Sequence, residues 1–251
     1  HQSGQEEAFT FWSGCGAVKK SVFQELGGFD TSFDVPSIED IELGGRIRNA
    51  GHAIRLQKSM QGTHLKQWRF WNMVKTDIFC RAVPWLGLLF GRGEFKSDLN
   101  LDTGSKLGTA AAGLMAVMMT DLLLLGQGTA VLPVLATLTF STLVGFTSAP
   151  TGHRNPGGRT WMGLALLPAV MTYSIYPNPW ALGPVLLLVV LVMARRGFYE
   201  FLSAQRNATF ALATIPLQCI FFLGCAIAIP LALGKFVWIH KLSSRAHVKS
   251  G

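Results

Sequence analysis

The sequence predicts an α/β part over residues 1–97, followed by an α-helical transmembrane region over residues 98–251. Three observations carry this. Of the 14 acidic residues, only Asp121 and Glu200 lie beyond Asp102. Charged residues make up 14% of the chain and hydrophobic ones 49%, against an ordinary ~25% charged. Short extended and helical patterns punctuated by glycine fill the first part, and apolar runs of near-spanning length fill the second.

The formal net charge of +8 would suit nucleic acid in a soluble protein. Here the cations sit between and beside apolar runs. They read as positive-inside signals and lipid headgroup contacts, so membrane lipids are expected partners and nucleic acid is not. Cys15, Cys80, Cys219 and Cys225 form no CxxC pair, which argues against a disulfide framework or a zinc site.

Taken in order, FTFWSGCG at residues 9–16 looks like a strand entering a glycine turn. Val18–Leu26 reads as a short helix, with Gly27 supplying the left-handed residue that ends it. Residues 37–50 read as the next helix, with Ser37 as N-cap, Asp40 at the third helical position and Gly51 as terminator. HAIRLQ at 52–57 is a plausible strand, and SMQGTH a second extended piece. Over residues 66–85, Trp68, Trp71, Val74, Ile78 and Trp85 recur at helical spacing, away from Arg69, Lys75, Thr76 and Asp77. That pattern suggests a helix lying in the membrane interface, stopped by Pro84.

Apolar runs at 107–126 and 129–148 are separated by GQG and predict a tight hairpin. Runs at 161–176 and 179–194 flank YPNP, as two spans or one re-entrant pair. Residues 208–234 form the last run, with Pro216 and Pro230 inside it. The 149–160 and 195–207 loops carry Arg154, Arg159, Arg195, Arg196 and Arg206, which places them in the cytoplasm. The tail, with Lys235, Lys241, Arg245 and Lys249, lies on the same side only if the last run doubles back. Asp121 is a functional candidate as an acid inside a span; the simpler reading places it near a helix end, reaching headgroups.

The order FWSGCGAVKKSVFQELGGFD, then IEDIELGGRIRNAGH, then THLKQWRFW, then apolar spans, resembles the family 2 glycosyltransferases with a GT-A catalytic domain. In that family a stretch ending G-G-F-D precedes E-D-x-(D/E)-L-x-x-R-(I/L)-x-x-A-G; here these run from Gly14 to Asp30 and from Glu39 to Gly51. The likeness covers roughly residues 9–85. It implies a partial GT-A domain with a Rossmann-like mixed sheet, and transfer of a sugar from a nucleotide-sugar donor to a lipid or glycan hydroxyl, with inversion.

By that resemblance Asp40 is the general base and Glu39 supports it. A base for an attacking hydroxyl must be charged and within hydrogen-bond reach, and a helix N-terminus favours a carboxylate. Trp12, Ser13, Gly14 and Cys15 would line the substrate pocket, or merely turn the chain. His64 would stand near metal and pyrophosphate. Lys66, Gln67, Trp68 and Arg69 partly resemble the acceptor motif of processive members, but the spacing departs, which argues for adding one sugar or a few. Lys66 and Arg69 could neutralise a leaving pyrophosphate or anchor in the interface.

The resemblance also implies a divalent metal, Mg or Mn, held by a D-x-D site in a preceding nucleotide-binding half. The DLNLD at 98–102 is no substitute, and the chain starts at His1. The chain therefore reads as a piece of a longer enzyme, inactive by itself, multi-pass in a bacterial inner membrane with its catalytic part cytoplasmic. A transporter or channel subunit, or a non-catalytic membrane scaffold, are the alternatives.

Overall fold

A computed structural model describes residues 6–8, 10–33, 37–57, 59–60, 62, 65–92, 102–147 and 160–249. The chain divides into two compact units, one of His1–Asp102 with Ile227–Gly251, the other of Thr103–Ala226.

In the first unit the helices are α1 (Lys20–Glu25), α2 (Glu39–Asn49), α3 (Phe70–Lys75) and α4 (Val83–Arg92). Among the described residues the expected Rossmann-like mixed sheet is not there. Among the described residues the sheet consists of β1 (Glu7–Ala8) and β2 (Ile54–Arg55), antiparallel, with Glu7 opposite Arg55 and Ala8 opposite Ile54. The fold of the described residues is helical, and the α/β expectation is corrected accordingly. The physical reason is a want of lateral partners. A mixed sheet needs central strands paired on both edges, but HAIRLQ meets one short segment. Thr10 and Phe11 pack on α2 instead. Beyond β2 the chain turns at once, with the Met60 N–H donating to the Gln57 carbonyl at 3.1 Å.

The helix ends follow the glycines. After α1, Gly27 (φ 77°) and Gly28 (φ 74°) are left-handed. The Gly28 N–H donates to Phe23 and the Gly27 N–H to Gln24, a closed Schellman motif. Gly51 closes α2 in the same way, onto Arg48, with His52 donating to Ile47. The start of α2 departs from expectation. Ile38, not Ser37, is its cap residue, no side chain caps it, and Asp40 is its second residue.

Pro84 does not stop the third helix. A π-helical turn, Thr76–Ala82, joins α3 to α4, and the helix runs on to Arg92. Proline cannot donate to the carbonyl four residues back and its ring crowds that carbonyl; the wider π turn sits just where the crowding would fall.

The second unit contains α5 (Thr103–Leu124), α6 (Leu132–Thr147), α7 (Thr160–Ile175), α8 (Leu182–Ala194), α9 (Arg196–Gln205), α10 (Ala208–Ala213) and the first turns of α11 (Ile215–Lys249). α5 lies along α8, and α6 along α7. Gly108 of α5 faces the Phe222 ring of α11, where a Cβ would come within 2.7 Å. Around that contact Ala112, Met115, Leu188, Leu191, Tyr199 and Ile215 form the core.

Thr103–Leu124 and Ala208–Trp238 are long and apolar enough to cross a membrane, and Pro179–Ala194 with Arg196–Gln205 is a further pair bent by 62°. RRGFYEFLSAQ is thus a helix rather than a loop, with Tyr199 buried and Arg196 paired to Glu200 at 2.6 Å. α11 runs through Pro230 without doubling back. Asp121 sits exposed in the last turn of α5.

Polar side chains tie the hairpins at both ends. Asn178, before α8, donates to Gln127 Oε1 (3.2 Å) and Thr129 Oγ1 (3.0 Å), joining the α5–α6 turn to the α7–α8 turn. At the other end Arg195 donates to Ser105 Oγ at 3.2 Å.

Candidate functional site

The site begins with the spacing of α2. Asp40, Leu43, Gly44 and Ile47 fall at i, i+3, i+4 and i+7, so they share one face, and all four are buried. Leu43 and Ile47 pack with Phe11 and, around them, Val22, Phe23 and Ile54. Gly44 makes this close packing possible. A Cβ there would strike the backbone nitrogen of Phe11, so the 10–12 segment can lie on the helix only because the position has no side chain. Gly44→Ala is therefore expected to cost about 1–3 kcal/mol by overpacking, read as a lowered melting temperature of the detergent-purified chain. An unchanged melting temperature would contradict the contact.

That packing delivers Ser13 to Asp40. The Ser13 backbone N–H donates to Asp40 Oδ2 at 3.0 Å, and its hydroxyl to the same oxygen at 3.1 Å. The Ile41 N–H donates to Oδ1 at 2.8 Å. Asp40 is 9% exposed. Each carboxylate oxygen can accept about two hydrogen bonds, so Oδ1 retains room for one from an incoming hydroxyl. Trp12, Gly14 and Cys15 flank Ser13 on an exposed 3₁₀ turn, Ser13–Cys15. A side chain at Gly14 would press on the Trp12 indole at 3.1 Å. The acid and the turn were predicted from separate motifs, and the fold brings them together across 27 residues.

Glu39 is half-buried and its Oε2 accepts from the Ser37 N–H at 2.7 Å, so it shapes the entry to α2. Lys66, Gln67, Trp68 and Arg69 are exposed and run into α3. Lys66 Nζ lies 4.1 Å from the Trp68 ring centre and Arg81 Cζ 5.5 Å from it, while Arg81 pairs with Asp77 at 2.6 Å. These described ties run from the segment before α3 to the π turn, Lys66 to Arg81, as an aromatic and cationic strip. His64 lies outside the described residues. Among the described residues no three His, Cys, Asp or Glu side chains cluster as metal ligands would.

Two features escaped the sequence reading. Arg46 grips Glu42 with Nε at 3.0 and 2.9 Å and Nη2 at 2.7 Å. It also donates to the carbonyls of Leu26 and Gly28, the end of α1 and its glycine turn. The i,i+4 spacing of Glu42 and Arg46 was visible, but not the carbonyls it would reach. Asp30, four residues after Leu26, accepts from the Ser32 N–H at 2.9 Å. That bond, with smaller help from the Ser32 hydroxyl and Arg46, holds its carboxyl below the usual range. The second feature is the Ser37 hydroxyl, which donates to the Cys80 carbonyl at 2.6 Å.

No family model matches the chain, and neither does any curated protein or solved structure.

Proposed function

We propose that this chain is the acceptor-side part of a membrane-bound, inverting, nucleotide-sugar-dependent glycosyltransferase. The observation that carries the reading is the Asp40–Ser13 contact: a buried carboxylate on a helix face, reached from an exposed turn with Trp12 beside it. In the proposed step the acceptor hydroxyl gives its proton to Asp40 as its oxygen bonds to the anomeric carbon. The bond from that carbon to phosphate breaks, and the nucleoside diphosphate leaves. Ser13 keeps the carboxylate oriented, and Glu39 holds the entry to its helix. Lys66 and Arg69 are the cations available to a leaving pyrophosphate. The reading implies a divalent ion, Mg or Mn.

The acceptor is a lipid or a glycan held at the membrane. Support comes from the exposed Trp68, Trp71 and Phe79 among Lys66, Lys75 and Arg81, the pattern of an interfacial helix. A transporter would need polar groups left for a substrate within its spans. Thr137 and Ser141, buried in α6, instead bond carbonyls of their own helix at 3.0 and 2.9 Å.

The test is nucleoside diphosphate release by the natural full-length protein in bacterial inner-membrane vesicles, with uridine- and guanosine-diphosphate sugars and added Mg or Mn. Release that depends on donor and metal supports the reading. No release from any donor would sink it.

Sidedness follows the charges. Lys106, Arg195 and Arg196 gather at the end of the second unit that holds the Arg195–Ser105 contact, which supports a cytoplasmic position for that end under the positive-inside rule. The Asn178-bridged turns then face outward. With the exposed Cys15 changed to serine, Gln127→Cys is expected to react with an impermeant maleimide in intact spheroplasts, and Thr103→Cys, exposed at the first turn of α5, only after lysis. The reverse pattern would invert the proposed topology.

A further inference from the structure

Ser37 stands where the sequence places a helix cap, yet its hydroxyl serves a different helix. It donates to the Cys80 carbonyl at 2.6 Å, across 43 residues of sequence. Cys80 is four residues before Pro84, and proline has no N–H to return to it. The π turn Thr76–Ala82 opens the helix at this place, and such turns recur at functional sites. Ser37 is also tied forward, its own N–H donating to Glu39 Oε2 at 2.7 Å. α2 begins directly afterwards with no side-chain cap from Ile38, and the described side-chain bond within its first turn is made by Asp40 itself, which accepts from the Ile41 N–H. Asp40 lies in that turn, held from the other side by Ser13.

We propose that Ser37 is a positioning residue for Asp40. By satisfying the carbonyl that Pro84 leaves open, it locks the Glu39–Asp40 entry of α2 onto the helix over residues 70–92. The catalytic consequence rests on the glycosyl-transfer reading; the structural tie does not. Without the Ser37 hydroxyl the uncapped first turn frays, and Asp40 spends less time oriented toward Ser13 and a bound acceptor.

Two readouts test this. Hydrogen exchange of the full chain in nanodiscs is followed over peptides covering residues 37–46, and nucleoside diphosphate release is measured on the natural full-length enzyme. Ser37→Ala is expected to speed exchange there about tenfold. It should lower kcat about tenfold with the donor KM unchanged, as a misplaced base would. Ser37→Thr keeps a hydroxyl and should restore both. Pro84→Ala gives the Cys80 carbonyl an N–H within its own helix, so it should also speed exchange over 37–46 while strengthening the 70–92 helix. That combination separates a lost tie from general unfolding. Unchanged exchange over 37–46 in both Ser37→Ala and Pro84→Ala overturns the proposal. So does faster exchange with unchanged kcat in an enzyme that Asp40→Asn inactivates. Normal turnover in Asp40→Asn itself overturns the glycosyl-transfer reading instead, and the exchange experiment still decides the tie.

Discussion

Asp40→Asn is expected to lower kcat about a thousandfold, within the range lost with a general base, while donor affinity stays unchanged. The expectation comes from what each oxygen does. Oδ2 takes two donors from Ser13 and Oδ1 takes the Ile41 N–H. Asparagine keeps the shape and one acceptor oxygen but cannot take a proton. If its oxygen stays with Ser13, its amide faces the Ile41 N–H as a second donor. That mismatch costs about 1–3 kcal/mol locally, so the variant is compared with wild type by circular dichroism before turnover is read. Donor affinity is measured separately by equilibrium binding, because Asp40 is assigned to the acceptor. A folded variant with normal turnover would remove the base assignment. Loss of donor binding would move Asp40 to the donor side of the reaction.

Arg46→Ala is expected to destabilise the chain by about 3 kcal/mol, the lower end of the cost of breaking a buried ion pair. The lower end applies because the Arg46 side chain is 26% exposed while that of Glu42 is 7% exposed. The substitution removes the guanidinium that pairs with the Glu42 carboxylate and takes donors from the Leu26 and Gly28 carbonyls. A loss of this size lowers the melting temperature by about 6–12 °C for a chain of this length. The control is Glu42→Leu with Arg46→Met, which removes both charges at roughly constant volume. Much of the lost stability should return, since an apolar pair often replaces a buried ionic one without loss. If Arg46→Ala melts like wild type, the grip on the glycine turn contributes nothing to stability.

The two unforeseen contacts show where sequence reading ran out. Ser37 had every local mark of a cap: a hydroxyl before an acidic, apolar-periodic run. Its hydroxyl was claimed by Cys80, an acceptor opened by a proline 47 positions later in the chain. Pro84 had the local mark of a stop, but a π turn before it removed the clash. A cap and a stop are competitions among hydrogen-bond partners, and distant partners are invisible to a local pattern. Of the strand readings, HAIRLQ does hold β2 at Ile54–Arg55, but residues 10–12 form no strand, for a related reason. Alternation of apolar residues says that a segment could pair, not that a neighbour is available. Residues 10–12 met the smooth face left by Gly44 instead.

The sequence by itself determined the features that depend on near neighbours. Gly27 and Gly51 end helices because only glycine adopts their left-handed backbone cheaply. The apolar lengths of α5 and α11 suit a membrane because each residue of helix adds a fixed rise. The face shared by Asp40, Leu43, Gly44 and Ile47 follows from helical periodicity alone. Tertiary structure decided which groups meet: Ser13 with Asp40, Ser37 with Cys80, Arg46 with the turn after α1. Those meetings span many residues, and their geometry comes from how the segments pack, because buried polar groups must find partners wherever packing supplies them.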